Sequence, residues 1–267
     1  MSTRVQGRPR LAGGRVLSDG HVLYWWAELL GILVFYAAYS AIRNLHGGSA
    51  HPPPHAFDHA RQIMSLEHHL GIYHEQTIQE WALHFRPLII VANYFYGSFH
   101  FIVTIFAGIF LYRNYADDYP RFRNTIAITT AIALIGFTLY PLAPPRMFPG
   151  FVDTLLKDPT FWSFNSGGMQ NVSNQFAAMP SVHIAWATWC ALALGPRLKN
   201  RTAATLAWCY PVFTLVVITI TANHYVLDAV AGLVILGIGW IAASRATRAG
   251  RSSWAGGRKG SPADRVA

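Results

Sequence analysis

Thr221-Ala222-Asn223-His224-Tyr225-Val226-Leu227-Asp228 stands between two apolar runs, 203 to 221 and 224 to 243, and leaves almost nothing to separate them. A helix needs about 20 mainly apolar residues to cross the hydrocarbon core of a bilayer, so this stretch reads as a tight turn joining two membrane helices. The same length test finds four earlier candidates, at about 22 to 42, 88 to 112, 124 to 143 and 180 to 195. The expected fold is all-α, an integral membrane bundle of six transmembrane helices. The fourth is short and stops at Gly195-Pro196, a helix terminator followed by Arg197, Lys199 and Arg201. A start below the membrane surface would put His183 in a protein-lined cavity.

Composition points the same way. Of 267 residues, 52% are hydrophobic and 12% charged, against roughly 25% charged in an ordinary soluble domain. The apolar runs recur from residue 22 to residue 243 with no long polar segment between them, which implies one membrane domain. The formal charge of +9 comes in short clusters between those runs. A nucleic-acid binder would show a continuous basic stripe with stacking aromatics, so no nucleic-acid partner is expected. Cys190 and Cys209 fall inside apolar runs and read as small buried residues rather than a disulfide or metal pair. The N-terminal segment has no short apolar core followed by a small-residue cleavage site, so a cleaved signal peptide is not expected.

Cytoplasmic flanks carry the excess of lysine and arginine. With the N-terminus inside, they hold Arg4, Arg8, Arg10 and Arg15, then Arg113, Arg121 and Arg123, then Arg197, Lys199 and Arg201, then Arg245, Arg248, Arg251, Arg258, Lys259 and Arg265. Only Arg43, Arg61, Arg86, Arg146 and Lys157 fall outside. Both termini are then cytoplasmic, residues 1 to 21 form a basic segment, and residues 244 to 267 a basic disordered tail in contact with anionic lipid. Residues 43 to 87, 144 to 180 and the 221 to 224 turn share the extracytoplasmic face. Gly47-Gly48 and Pro52-Pro53-Pro54 mark a loop. From Asp58 to Leu83 the sequence turns amphipathic, with Ile63, Leu66, Leu70, Ile78 and Trp81 among polar positions, and an interfacial helix is expected between the first and second spans. Residues 144 to 179, rich in Pro, Gly, Asn and Ser, suit an irregular loop over a cavity mouth.

Ionisable groups at a membrane helix are costly unless paired or functional. His224 and Asp228 are four apart, so on a helix they share a face. The carboxylate can accept one imidazole N–H, fix the tautomer and leave the other nitrogen to attack phosphorus. The competing reading is a helix-start pair whose members only satisfy each other. Met179-Pro180-Ser181-Val182-His183 adds a second element: Ser181 can cap a helix N-terminus, whose amides and dipole favour phosphate. His183 is then placed to protonate a leaving oxygen, a task suited to a side chain with a pKa near neutrality.

Pro180-Ser181-Val182-His183 resembles the middle motif of the type 2 phosphatidic acid phosphatase superfamily, and His224 with Asp228 resembles its last. The resemblance implies a six-helix membrane fold, a phosphohistidine at His224, protonation of the leaving group by His183, and no metal or cofactor. Tyr140-Pro141-Leu142-Ala143-Pro144-Pro145-Arg146, Ala178-Met179-Pro180-Ser181-Val182-His183, Thr221-Ala222-Asn223-His224-Tyr225 and Asn93-Tyr94-Phe95-Tyr96-Gly97-Ser98-Phe99-His100 are most similar to the inositol phosphorylceramide synthase-like branch. The resemblance spans about residues 60 to 243. It implies a phospholipid or polyprenyl-phosphate-type lipid substrate and, in that branch, inositol or another polyol as acceptor.

The family pattern has an arginine six residues before the last histidine, and that position here is Ile218. Phosphate-binding charge must come from elsewhere. Arg146 is the candidate clamp, because its planar fork suits phosphate oxygens, against the reading of an exposed loop charge; Lys157 is the reserve. His100, inside the second apolar run, either bonds a neighbouring helix or touches substrate. Glu28 is expected to pair within the bundle. His51, His55 and His59 repeat every four residues, which on a helix would suggest metal ligands, but Pro52-Pro53-Pro54 prevents that helix. With His68, His69 and His74 they read as an interfacial surface. Trp25, Trp26, Tyr73, Trp81, Trp162, Trp186 and Trp189 read as membrane-belt aromatics.

The expected activity is metal-independent phosphoryl transfer on lipid-linked phosphate at the extracytoplasmic face. A polyol acceptor makes the chain a transferase and water makes it a lipid phosphatase. A membrane transporter or lipid-binding subunit with proton-relaying histidines is the alternative of another class, though the repeat symmetry and paired interrupted helices usual in transporters are not evident.

Overall fold

The structure, a computed structural model, describes residues 14–45, 52–158 and 174–258. Arg4, Arg8, Arg10, Gly47-Gly48, His51, Trp162 and everything past Arg258 lie outside the described residues. Two short antiparallel strands, β1 (Gly14–Val16) and β2 (Val22–Tyr24), lead into α1 (Trp25–Leu45). There follow α2 (Ala56–His69), α3 (Glu75–Leu83) and α4 (Arg86–Tyr94), which continues through a π-helical turn, Phe95–Phe99, into α5 (His100–Asn114). Next come α6 (Tyr119–Leu139), a 3₁₀ turn at Pro145–Met147, and the one-turn α7 (Thr154–Lys157). The chain ends with α8 (Val182–Leu194), α9 (Arg201–Ile220) and α10 (Val226–Arg258).

Four of these helical stretches are long and apolar enough to cross a membrane: Arg86–Asn114, Tyr119–Leu139, Arg201–Ile220 and Val226–Thr247. Shorter apolar helices, Trp25–Ala41 and Val182–Leu194, fall at the expected first and fourth spans. Their outer faces are oily: Leu30, Leu33 and Val34 on α1, Ile102, Ile105 and Ile109 on α5, and Val230, Val234 and Ile241 on α10 are all exposed. In water such a surface would be an aggregation hazard, whereas in lipid it is the ordinary exterior.

Three local expectations are corrected. A β hairpin starts in the basic N-terminal segment and takes up the first residues of the expected first span, so α1 begins at Trp25; the hairpin's Ser18 N–H donates to Asp117 at 2.6 Å. The amphipathic stretch 58–83 is two helices, because Gly71 adopts φ 70° and closes α2 with paired bonds, Gly71 N–H to His68 O and Ile72 N–H to Glu67 O. That is the glycine-stopped Schellman geometry. Leu66, Leu70, Ile78 and Trp81 are exposed, while Ile63, Glu67, Glu75 and Gln79 are buried. Finally, α10 does not stop near residue 243 but runs to Arg258.

Inside, α10 packs most extensively on α6 and also on α8. Trp189 is part of this core, donating to Phe122 O at 2.9 Å, and Trp186 donates to Thr130 Oγ1 at 3.0 Å; neither is a belt residue. Cys190 is buried as expected, whereas Cys209 is exposed on α9. At the end rich in arginine, Arg197 pairs with Asp118 at 2.7 Å and Arg121 lies 4.5 Å over the Trp240 ring. Glu28 finds its partner within the bundle in Arg123. The opposite end gathers α2, the 140–148 and 174–180 segments and the α9–α10 turn around Leu142, Ala143, Phe176 and Tyr225.

Close approach of α10 to α8 depends on a missing side chain. A Cβ added at Gly232 would sit 2.3 Å from the Ser181 carbonyl oxygen, which is backbone and cannot step aside. Gly232→Ala is therefore expected to cost roughly 1–3 kcal/mol of stability, read as a lower thermal midpoint in detergent. Gly237→Ala, where an added Cβ meets nothing within 4 Å, should hold or raise the midpoint, since alanine is the better helix former.

Candidate active site

Two helix N-termini meet at this end of the bundle. α9 stops in another Schellman arrangement, Ala222 N–H to Thr219 O and Asn223 N–H to Ile218 O, with Ala222 at φ 50°. Only glycine takes that region freely, so alanine there costs on the order of 1 kcal/mol. The strained turn delivers Asn223 and His224 to the start of α10. Across from it the Ser181 N–H donates to the Asp228 carbonyl at 2.9 Å, which ties the first turn of α8 to that of α10.

Asp228 has no solvent exposure and His224 almost none. Asp228 Oδ2 accepts from the Tyr225 N–H at 3.0 Å and faces His224 Nδ1 at 3.3 Å. A carboxylate only accepts, so His224 donates through Nδ1 and keeps its lone pair on Nε2. That nitrogen faces His183 Nδ1 at 3.3 Å, and the His183 N–H is the donor of the contact. The order Asp228, His224, His183 thus follows from valence alone. The two imidazoles touch directly, with centroids 5.3 Å apart at 63°.

His183 is held from its other sides by the π-helical turn. Tyr96 stacks on it at 4.5 Å and 25°, and His100 meets it edge-on at 4.6 Å. His100 Nδ1–H donates to Tyr96 O at 3.1 Å, which locks that ring's direction. π-turns inserted in α-helices recur at functional sites, and this one turns both rings towards His183.

Arg146 is buried, which excludes the exposed loop charge. Its backbone N–H donates to Ala222 O at 2.9 Å, its Nη1 to Asn223 Oδ1 at 2.8 Å, its Nε to Asp153 Oδ2 at 3.2 Å and its Nη2 to Gln175 Oε1 at 3.4 Å. The guanidinium is therefore fixed one residue away from His224. Ile218, where the family pattern has arginine, is buried against Ile184 and Ala229. Lys157 is exposed on α7, and no hydrogen bond or ion pair joins it to the histidines. Ser181 occupies the N-cap of α8, but its side chain makes no cap bond; its Oγ is buried without a partner. His55 pairs with Asp58, and His59 bonds Pro141 O and stacks on Tyr140, so both are engaged away from the site.

Tyr96, Asn223, Asp153 and Gln175 were not legible as site residues. Asn223 adjoins His224 and Tyr96 lies in a quoted phrase, but nothing in their spacing shows that one turns towards Arg146 and the other towards His183.

A family model described as the PAP2 superfamily matches residues 61–242. Searches of curated proteins and of solved structures return no match. The matched span begins in α2 and ends within α10, and it contains every site residue named above.

Arg146→Lys is expected to weaken binding of inorganic phosphate about tenfold or more, because lysine cannot keep three directed contacts and still present a planar fork. Titration of the purified protein followed by phosphorus NMR reads this, and Lys157→Ala should leave the affinity unchanged.

Proposed function

The chain belongs to the PAP2 superfamily, and we propose that it is a six-span membrane phosphotransferase acting on lipid-linked phosphate through a phosphohistidine at His224. Membership supports phosphatase or phosphotransferase-type activity on lipid phosphates. The observation that carries the finer reading is the Asp228–His224–His183 order, with the nucleophilic lone pair of Nε2 facing a nitrogen that bears a proton.

In the first step His224 Nε2 attacks phosphorus and the bond to the leaving alcohol breaks, its oxygen taking the His183 proton. The His224 ring gains positive charge, which Asp228 stabilises through Nδ1–H. Arg146 holds the non-bridging phosphoryl oxygens, and the Ser181 hydroxyl supplies a further hydrogen bond. In the second step His183 removes a proton from an acceptor hydroxyl, whose oxygen attacks phosphorus; the P–N bond breaks and Nε2 recovers its lone pair. The arginine and the imidazolium formed supply the charge compensation, so the cycle needs no metal. Polyol transfer with inositol as acceptor is favoured over hydrolysis by the phrases shared with the inositol phosphorylceramide synthase-like branch. The active end lies opposite the Arg113, Arg121, Arg197 and Arg201 flanks, which the positive-inside rule assigns to the cytoplasm. The face of α2 and α3 that carries Leu66, Leu70 and Trp81 then rests in the interface.

The test uses purified chain with phosphate-labelled short-chain phosphatidic acid and phosphatidylinositol, with and without inositol, and with chelator present. Wild type should turn over and carry an acid-labile label on His224. His224→Ala should carry none, and His183→Ala should be slowed by about 10²–10⁴-fold. Undiminished turnover of His224→Ala on every accepted lipid would contradict the reading.

A further inference from the structure

Tyr225 caps α10 in place but offers no capping side chain, yet the first backbone N–H groups of the helix are all satisfied by acids. The Tyr225 N–H goes to Asp228 Oδ2 at 3.0 Å, the Val226 N–H to Glu75 Oε1 at 3.0 Å, and the Leu227 N–H to Glu67 Oε1 at 2.7 Å. The first contact is internal, a residue at the third helical position reaching back to the cap. The other two come from α3 and α2, about 150 residues earlier in the chain. Glu67, Glu75 and Asp228 all have zero exposure.

Three ionised carboxylates cannot share one dry pocket at acceptable cost, and the three are unequally compensated. Both oxygens of Glu75 accept, Oε1 from Val226 and Oε2 from the His74 N–H at 3.0 Å, as expected of a carboxylate. Glu67 accepts at Oε1 from a single N–H and its Oε2 is buried without a hydrogen-bond partner. Asp228 Oδ1 is likewise unpartnered, but Asp228 Oδ2 has both the Tyr225 N–H and the His224 ring, which leaves Glu67 the least compensated of the three. Burial pushes the Glu67 carboxyl up to about 9, with Glu75 and Asp228 adding to the rise against the Leu227 N–H.

We propose that Glu67, as a neutral acid, and Glu75, as a carboxylate, are positioning residues that hold the first turn of α10 so that Asp228 keeps His224 in line for attack. The proposal rests on the phosphohistidine reading. Asp228 Oδ2 serves the Tyr225 N–H and the His224 ring together, so a shift of that turn displaces the nucleophile. Neither glutamate touches His224. Glu75 complements the positive end of the helix, and Glu67 supplies an acceptor without adding a third charge beside Asp228.

The full chain in detergent, assayed on phosphatidic acid, decides it. Glu75→Gln and Glu67→Leu should lose roughly tenfold to a hundredfold in kcat with KM unchanged, since phosphate is bound elsewhere. Glu67→Gln keeps a neutral carbonyl acceptor and should recover most of what Glu67→Leu loses. If Glu67→Leu does not fold, Glu75→Gln and Glu67→Gln still decide the matter. Wild-type kcat in Glu75→Gln, or a loss in Glu67→Gln as deep as in Glu75→Gln, would overturn the proposal. Measuring His224→Ala in parallel separates the two ideas: if it is inactive while the glutamate variants are unaffected, only the positioning role falls, and if it is active, the phosphohistidine reading falls first.

Discussion

Asp228 is a carboxylate with no access to solvent, and an isolated charge so placed is prohibitively costly. Its Oδ2 has two partners, the Tyr225 N–H and the His224 ring, and these define the site. Because it only accepts, it dictates which nitrogen of His224 carries hydrogen and which keeps its lone pair. Its backbone carbonyl also takes the Ser181 N–H, so the same residue docks α8, and His183 with it, against α10. Gly232, one turn further on, removes the side chain that would keep the two helices apart. Helix packing and imidazole tautomer are thus settled by one buried group.

On the proposed reading, the phosphate-binding charge has a different origin from the family pattern. A bulky apolar residue at position 218 packs the α8–α10 seam against Ile184 and Ala229. The guanidinium arrives instead from the loop after α6, pinned by the carbonyl of Ala222 and the side chain of Asn223. Both contacts are to the turn that carries His224, so Arg146 and His224 are tied to one segment. Asp153 and Gln175 complete the cradle and prevent a buried cation from standing unpaired.

Hydrophobic length and basic flanks made the apolar helices readable, because lipid imposes a strict length and charge rule on each segment separately. The pairing of His224 with Asp228 was readable for a similar reason, being a local four-residue spacing. What escaped was non-local. The acids of α2 and α3 looked like the polar face of an interfacial helix, since periodicity tells two faces apart but not which one meets protein. Tyr96, unlike the candidate His100, was not legible as part of the site, because its direction depends on a π-turn, and no propensity announces that. Whether Arg146 was more than an exposed loop charge was open until burial answered it: it is enclosed by side chains reaching from three segments, while Lys157, the reserve, lies on an exposed face of α7.

The central claim is that His224 and His183 act on opposite sides of one phosphorus. A structure of the full chain with orthovanadate bound tests this most directly, because vanadate takes up the geometry of an in-line phosphoryl transfer. The expected result is vanadium bonded to His224 Nε2, with the two rings parted from their 3.3 Å contact, His183 at the far apical oxygen and Arg146 on the equatorial ones. Vanadate bonded to His183 instead, or bound away from both histidines while they remain in contact, would contradict it.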